Sequence, residues 1–142
     1  MTTILKEAKI AIDNSKLYVE IDRANSTLLY QWKGHILDGE ARSGFTQIIE
    51  LIKANNVKNL IADLFRFKGG TVETAKWVNE NYSRMLKEAG IKKVATTIPE
   101  SAFGEFSNRI ALGDKTVTLL EVEKFTSAHD ACQWFSASTV EC

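Results

Sequence analysis

Asp63, Arg66 and Lys68 are the residues whose types and spacing come nearest to a functional site. They fall in Asn59-Leu60-Ile61-Ala62-Asp63-Leu64-Phe65-Arg66-Phe67-Lys68-Gly69-Gly70-Thr71, an apolar run that ends in a carboxylate, passes into a basic glycine loop and meets a helix start. In open α/β sheets ligands sit beyond the carboxyl ends of strands, which is where such a loop lies. Asp63 could accept hydrogen bonds from a ligand or, with a raised pKa, serve as a general base. The alternative is that it caps the loop's own amides or pairs with Arg66. Arg66 and Lys68, beside Gly69-Gly70, could hold an anion at the start of the next helix, where amides and dipole favour negative charge. The stretch lacks the lysine-serine or lysine-threonine ending of a P-loop and the three-glycine dinucleotide fingerprint, so it does not read as a nucleotide site.

Phe65 and Phe67 flank Arg66, and an alternating aromatic pair in a loop exposes at least one ring unless something covers it. Trp77 stands one residue from Val78, at the margin of a helical core stripe where a large ring is half exposed. With Trp32, these rings could line an apolar pocket or form a homodimer contact. The other reading is that the loop packs over the domain's own sheet edge. His35 follows the Trp32-Lys33-Gly34 turn, and His129 lies one helical turn from Cys132; two ligands do not make a zinc site, so no metal is expected. No serine lies in a nucleophile elbow, and two histidines signal no hydrolytic triad. These residues specify no reaction, and neither a catalytic residue nor a cofactor is assigned.

The elements that must position this loop follow from periodicity. Leu17–Ile21 and Thr27–Trp32 read as strands, and Asp22-Arg23-Ala24-Asn25-Ser26 between them supplies the turn of an antiparallel hairpin, with Lys9–Ile12 as a further edge strand. Ala41, Phe45, Ile48, Ile49 and Ile52 share one face of a helix from about Asp38, its cap, to Ala54, with Asn55-Asn56 ending it in the left-handed conformation. Val57–Leu64 is a nearly continuous apolar run, the pattern of a central parallel strand. Thr71 caps a second helix with Val72, Ala75, Val78, Tyr82, Met85, Leu86 and Ala89 on its core face, and Gly90 ends it. Lys93–Ile98 is a strand halted by Pro99. Ser101 caps a short helix carrying Phe103, Phe106 and Ile110, Val117–Val122 is the last strand, and a fourth helix starts near Thr126 or Ser127 with Ala131, Trp134 and Phe135. Strands alternating with helices across short connections give one mixed-sheet α/β domain over residues 1–142, mostly parallel, with an N-terminal antiparallel hairpin and about four helices.

Bulk properties narrow the partners. A chain of 142 residues suffices for a self-contained core, and 18 acidic residues balance 18 basic ones, so no broad field draws in nucleic acid. No apolar run approaches the roughly 20 residues that span a bilayer, and Met1-Thr2-Thr3-Ile4-Leu5-Lys6-Glu7 lacks a signal-peptide core. A cytoplasmic protein without membrane insertion is the expectation. Cys132 and Cys142 suit neither a disulfide framework nor a zinc knuckle and are expected as reduced thiols, Cys132 as an apolar filler or, failing that, a redox group.

Several landmarks coincide in order and spacing. They are Leu28-Leu29-Tyr30-Gln31-Trp32-Lys33-Gly34, Leu60-Ile61-Ala62-Asp63, Trp77 with Tyr82, Ala89-Gly90-Ile91-Lys92-Lys93-Val94-Ala95 with Ile98-Pro99, and Phe125-Thr126 followed by Ala131 and Trp134-Phe135. From about Leu17 to Phe135 the pattern resembles the SpoIIAA-like branch of the STAS domains, small bacterial proteins related in fold to anti-anti-sigma factors and overlapping with the Sec14-like class. The resemblance implies a non-enzymatic module that binds a partner protein or a small apolar or anionic ligand, here through the loop after the middle strand. It does not imply the sigma-factor phosphoswitch: where the phosphorylated relatives place a serine directly after the strand-ending aspartate, this chain reads Asp63-Leu64-Phe65, and the first hydroxyl is Thr71. The binding residues expected on this reading are Trp32, His35, Asp63, Phe65, Arg66, Phe67 and Trp77. The rival reading is a small enzyme or lipid-type carrier with a pocket around Asp63 and Arg66.

Overall fold

In the computed structural model, which describes residues 3–136, strands β1 (Lys9–Asp13), β2 (Leu17–Asp22) and β3 (Thr27–Trp32) form an antiparallel meander. Asp22 closes the second turn by accepting from the Asn25 amide at 3.1 Å and its side chain at 2.7 Å. The chain then turns parallel. Strands β5 (Asn59–Asp63), β7 (Lys93–Thr97) and β8 (Glu121–Phe125) extend the sheet from β3, giving the order β1-β2-β3-β5-β7-β8. In this register Gln31 lies directly beside Asp63. A separate two-stranded parallel ribbon, β4 (Gly34–His35) with β6 (Phe67–Gly69), stands at the carboxyl end of the sheet and was not expected from the sequence.

Side chains alternate across the strands, so each face builds its own core. Leu28, Tyr30, Trp32, Leu60, Ala62 and Val94 face the main helical layer. That layer comprises α1 (Asp38–Ala54), α2 (Val72–Trp77), a π-turn (Val78–Tyr82), α3 (Ser83–Glu88), α4 (Ala102–Ala111) and α5 (Asp114–Leu119). Leu29, Ile61 and Ala95 face the other way, against Ala131, Cys132 and Phe135 of α6 (Ala128–Ser136) and Leu5 of the N-terminal segment. Among the described residues no helix is long and apolar enough to cross a membrane.

Most local signals hold. Thr71 accepts from the Thr74 amide at 3.1 Å, Ser101 from Gly104 at 3.2 Å and Ser127 from Asp130 at 3.1 Å, as their capping roles require. Asn56 takes the left-handed conformation after α1, with φ of 52°. Asp38 is not the cap of α1. Leu37 occupies that position, its amide donating to the Glu40 carboxylate at 2.9 Å, which leaves Asp38 in the first turn.

The expected strand Val117–Val122 is displaced. Thr116–Leu119 belongs to helix α5 and the strand begins at Glu121. The β-branched run loses to a tertiary cap: Asn79 accepts from both the Thr116 amide at 3.0 Å and its hydroxyl at 3.1 Å, satisfying the helix start from outside. The helix after Thr71 is also altered. At the π-turn the Ser83 amide bonds the Val78 carbonyl, five residues back, which turns Ser83 inward beside Tyr82 and Leu86 and leaves Met85 half-buried. Phe103 and Phe106 are each 51% exposed: Gly104 fits against the Phe67 carbonyl and Ser107 accepts from the Gly70 amide, while the Phe103 ring lies over Gly69 of the ribbon with its outer face in solvent. Cys132 is fully buried but is not a free thiol, correcting the expectation of a reduced one; burial suits sulfur in either state and did not discriminate. Cys142 lies outside the described residues.

The N-terminal segment is held by one buried carboxylate. Glu20 accepts from the Leu5 amide at 2.6 Å, the Ile4 amide at 3.1 Å and the Tyr18 hydroxyl at 2.6 Å. Removing that acceptor strands two amides and a phenol where Leu5 seals the sheet face. Glu20→Ala therefore lowers unfolding free energy by about 3 kcal/mol in urea titrations, and Glu20→Gln, which retains an acceptor, by clearly less.

Candidate functional site

The loop that follows β5 is a partition. Its side chains alternate between two environments: Leu64 and Phe67 turn inward, while Phe65, Arg66 and Lys68 turn out. The departure of the loop from the sheet is fixed by Asp63, which is 8% exposed. Gln31 donates to one of its oxygens at 2.7 Å and Thr97 to the other at 2.8 Å, and the Thr97 oxygen in turn accepts from the Leu64 amide at 2.7 Å. The Phe65 amide also approaches Asp63 Oδ1, at 3.4 Å. Of the alternatives for this residue, the capping of loop amides is the one seen, and it forms no ion pair with Arg66.

Behind the loop, between the sheet and the helical layer, lies a cavity of about 90 Å³. Trp32, Phe45, Leu64, Phe67, Ala75 and Leu86 supply much of its wall, and among the described residues no charged one lines it. The polar groups that reach it are neutral and mostly satisfied by one another. The Tyr82 hydroxyl donates to that of Tyr30 at 3.4 Å, and Ser83 and Thr116 share a hydrogen bond of 2.6 Å. Trp32 packs edge-on to Phe45 with centroids 5.3 Å apart; its indole Nε1 is buried without a hydrogen-bond partner among the described residues. The π-turn borders the same space through Val78 and Tyr82, and π-turns are frequent at functional sites.

At the outer edge of this cavity α1 and α2 are joined by a polar clasp. Thr74 donates to Asp38 at 2.5 Å, Arg42 bonds the same carboxylate at 3.0 Å, and the Arg42 guanidinium lies 5.2 Å from the centroid of Trp77. The Thr74 hydrogen bond, and after it the Arg42 contact, hold the Asp38 carboxyl below its ordinary range.

On the outer side of the loop, Gln31, Asp63, Phe65, Arg66 and Ser127 border an open cleft of about 420 Å³. The seven candidate residues are thus divided. Asp63, Phe65 and Arg66 meet at this cleft, and Trp32 and Phe67 meet in the cavity. Trp77 is half-buried on α2, 6.2 Å from Phe45. His35 is exposed on the ribbon, its ring 6.1 Å from Phe103, and borders neither space. The sequence reading missed Tyr30, Tyr82 and Ser83 as site residues; the available signal was the phenol hydroxyls of Tyr30 and Tyr82 at positions otherwise reading as core, while Ser83 is brought inward only by the π-turn.

No family model and no curated protein matches the chain. Among solved structures it is similar to an uncharacterized protein of the DUF3478 family with a SpoIIAA-like fold, from Shewanella loihica PV-4. The two are 20% identical over 94% of this chain and 98% of that one, with a TM-score of 0.52. The likeness establishes the SpoIIAA-like fold.

All three tyrosines are perturbed in one direction. Burial pushes Tyr30 up to about 12 and Tyr82 well above the ordinary phenol value, the latter also through the neighbouring Tyr30. Tyr18 is raised by burial and then by its bond to Glu20. A phenol pKa raised by folding adds stability that is complete below the unfolded value of about 10 and is lost as pH rises through the folded values. Tyrosinate absorbance should stay flat through about pH 10 and appear only with alkaline unfolding, whereas any tyrosine titrating normally in the folded protein would contradict this arrangement.

Proposed function

We propose that the protein is a non-enzymatic, STAS-like binding module that takes a small, neutral, mostly apolar molecule into the cavity behind Phe67, with the loop after the middle strand as its gate. The observation that carries this reading is the cavity itself: its wall lacks charge, while charged groups occupy the other side of the same loop. Bringing an ion into such a space costs several kcal/mol without a partner, which excludes anionic ligands from it. An engineered apolar cavity of roughly 150 Å³ accepts benzene or xenon, so a space of this order is a binding volume for small apolar species.

The rival enzyme or carrier reading around Asp63 and Arg66 has less support. Both Asp63 oxygens accept hydrogen bonds, from Gln31 and Thr97, so protonating either would compete with a bond that holds the loop. The carboxylate is engaged in holding strands and loop together.

Methyl-resolved NMR tests the proposal. Xenon and benzene should produce saturable shifts at Leu64, Ala75, Leu86 and Val94 and none at Leu5 or Leu29 on the opposite face; benzoate should produce none at either. Ala75→Leu, which fills the space, should remove the xenon response while Glu20-dependent packing of the other face is unchanged. Absence of saturable shifts at the cavity methyls in the unmodified protein would overturn the assignment.

A further inference from the structure

The second concavity on the outer side of the loop has the opposite chemistry. It opens at the ribbon as a cleft of about 350 Å³ whose walls include Lys33, Gly34, Phe65, Arg66, Lys68 and Glu100. The three segments contributing these residues are stitched by backbone bonds: Gly34 donates to the Arg66 carbonyl at 3.0 Å, Ile36 to Gly69 at 3.0 Å, and Glu100 to Phe65 at 3.1 Å. The backbone positions from which the basic side chains leave are therefore fixed relative to one another. Gly34 sits at φ of 76°, and a Cβ there would meet nothing within 4 Å, so the cleft is open above its backbone.

We infer that this cleft is a binding site for a phosphate monoester, its phosphate held by Arg66, Lys68 and Lys33 and its ester group lying against Phe65. Neither Arg66 nor Lys68 forms an ion pair or a side-chain hydrogen bond among the described residues. Lys33 donates to the Asn14 carbonyl at 2.8 Å, which leaves two of its three N–H groups. Three cations face one carboxylate, Glu100, in a chain whose charges balance overall. That local excess matches the charge of about −1.5 to −2 on a phosphate monoester at neutral pH and leaves a monocarboxylate overmatched. The planar guanidinium of Arg66 suits two phosphate oxygens at once, and the lysines act as point charges beside it. Phe65, 46% exposed, adds an apolar surface that inorganic phosphate cannot use.

The site is separate from the cavity behind Phe67, so its test does not depend on that of the binding module. The same headgroup chemistry occurs on a soluble ester and on a lipid, and the experiment distinguishes them. Amide shifts are followed in low salt with phenyl phosphate, inorganic phosphate and benzyl alcohol, alongside sedimentation with phosphatidylcholine vesicles with and without phosphatidic acid.

Phenyl phosphate should bind saturably, moving the Gly34, Arg66 and Lys68 amides, about tenfold more tightly than inorganic phosphate, with no response to benzyl alcohol. Arg66→Gln and Lys68→Gln, both at exposed positions, should each weaken it by about tenfold. Phe65→Ala should bring phenyl phosphate down to the level of inorganic phosphate. Sedimentation only with phosphatidic acid, lost in the same two variants, assigns a lipid headgroup; phenyl phosphate binding without it assigns a soluble ester. Failure of both phenyl phosphate and phosphatidic acid to bind, or binding that survives both glutamine substitutions, overturns the inference.

Discussion

The carboxylate of Asp63 decides where the chain leaves the sheet, and the cavity inside the loop and the clefts outside it follow from that point. It is tied to Gln31 on β3 and to Thr97 on β7, so one side chain on the middle strand bridges both of its neighbours. The Thr97 oxygen relays the contact to the Leu64 amide, the first residue of the loop. A backbone held this firmly at its first step has its later side-chain directions set as well. Leu64 and Phe67 turn toward the helices and Phe65, Arg66 and Lys68 turn away. Charge-assisted bonds of this kind are each stronger than neutral ones, and they are placed where water would otherwise compete for the loop amides.

The consequence is a separation of dielectric environments across a single layer of backbone. Inside, phenol and hydroxyl groups pair with one another, and no charged group among the described residues enters; outside, cations stand at the solvent edge. An ion on the inner side would lose its hydration without compensation, whereas an apolar molecule on the outer side would displace water from cations and return nothing. The two spaces therefore have opposite character, although they share a wall. The same contrast explains why Tyr30 and Tyr82 are held as neutral phenols far above the pH at which free tyrosine ionises.

Much of this was legible in the sequence wherever the cause is local. Thr71, Ser101 and Ser127 announce helix starts because a cap bonds within its own first turn, and Asn56 ends α1 because it tolerates a positive φ. The continuous apolar run ending at Asp63 marks the middle strand for the same reason. What was not legible has non-local causes. Val117 and Thr118 belong to a helix because Asn79, far back in the chain, caps Thr116. Phe103 and Phe106 are half exposed because glycine and serine fit against the ribbon side and Phe103 only covers Gly69, a contact that exists only once β4 and β6 have met. The candidate site splits for a related reason: Phe65 and Phe67 read as a pair in sequence, and only the geometry of the loop sends one to each side.

The two faces of the sheet are closed in physically different ways, and that difference explains why one of them holds a cavity. On the far face a single helix and the segment pinned by Glu20 place Leu5, Ala131, Cys132 and Phe135 directly on Leu29, Ile61 and Ala95. On the near face the cover beyond α1 is made of short pieces, α2, the π-turn, α3, α4 and α5. Their junctions are polar: Thr74 to Asp38, Ser83 to Thr116, and Asn79 to Thr116. Short helices joined by directional bonds cannot all settle onto the sheet at the spacing apolar packing would choose, since each bond fixes an orientation before side chains fill the gap. The π-turn absorbs one such mismatch within the backbone, and the volume beside Tyr82 is the remainder. Directional bonds at the joints and apolar surface beneath them are also the arrangement that lets a cover part along its seams while each piece stays folded, which is what the proposed entry of a ligand past Phe67 would require.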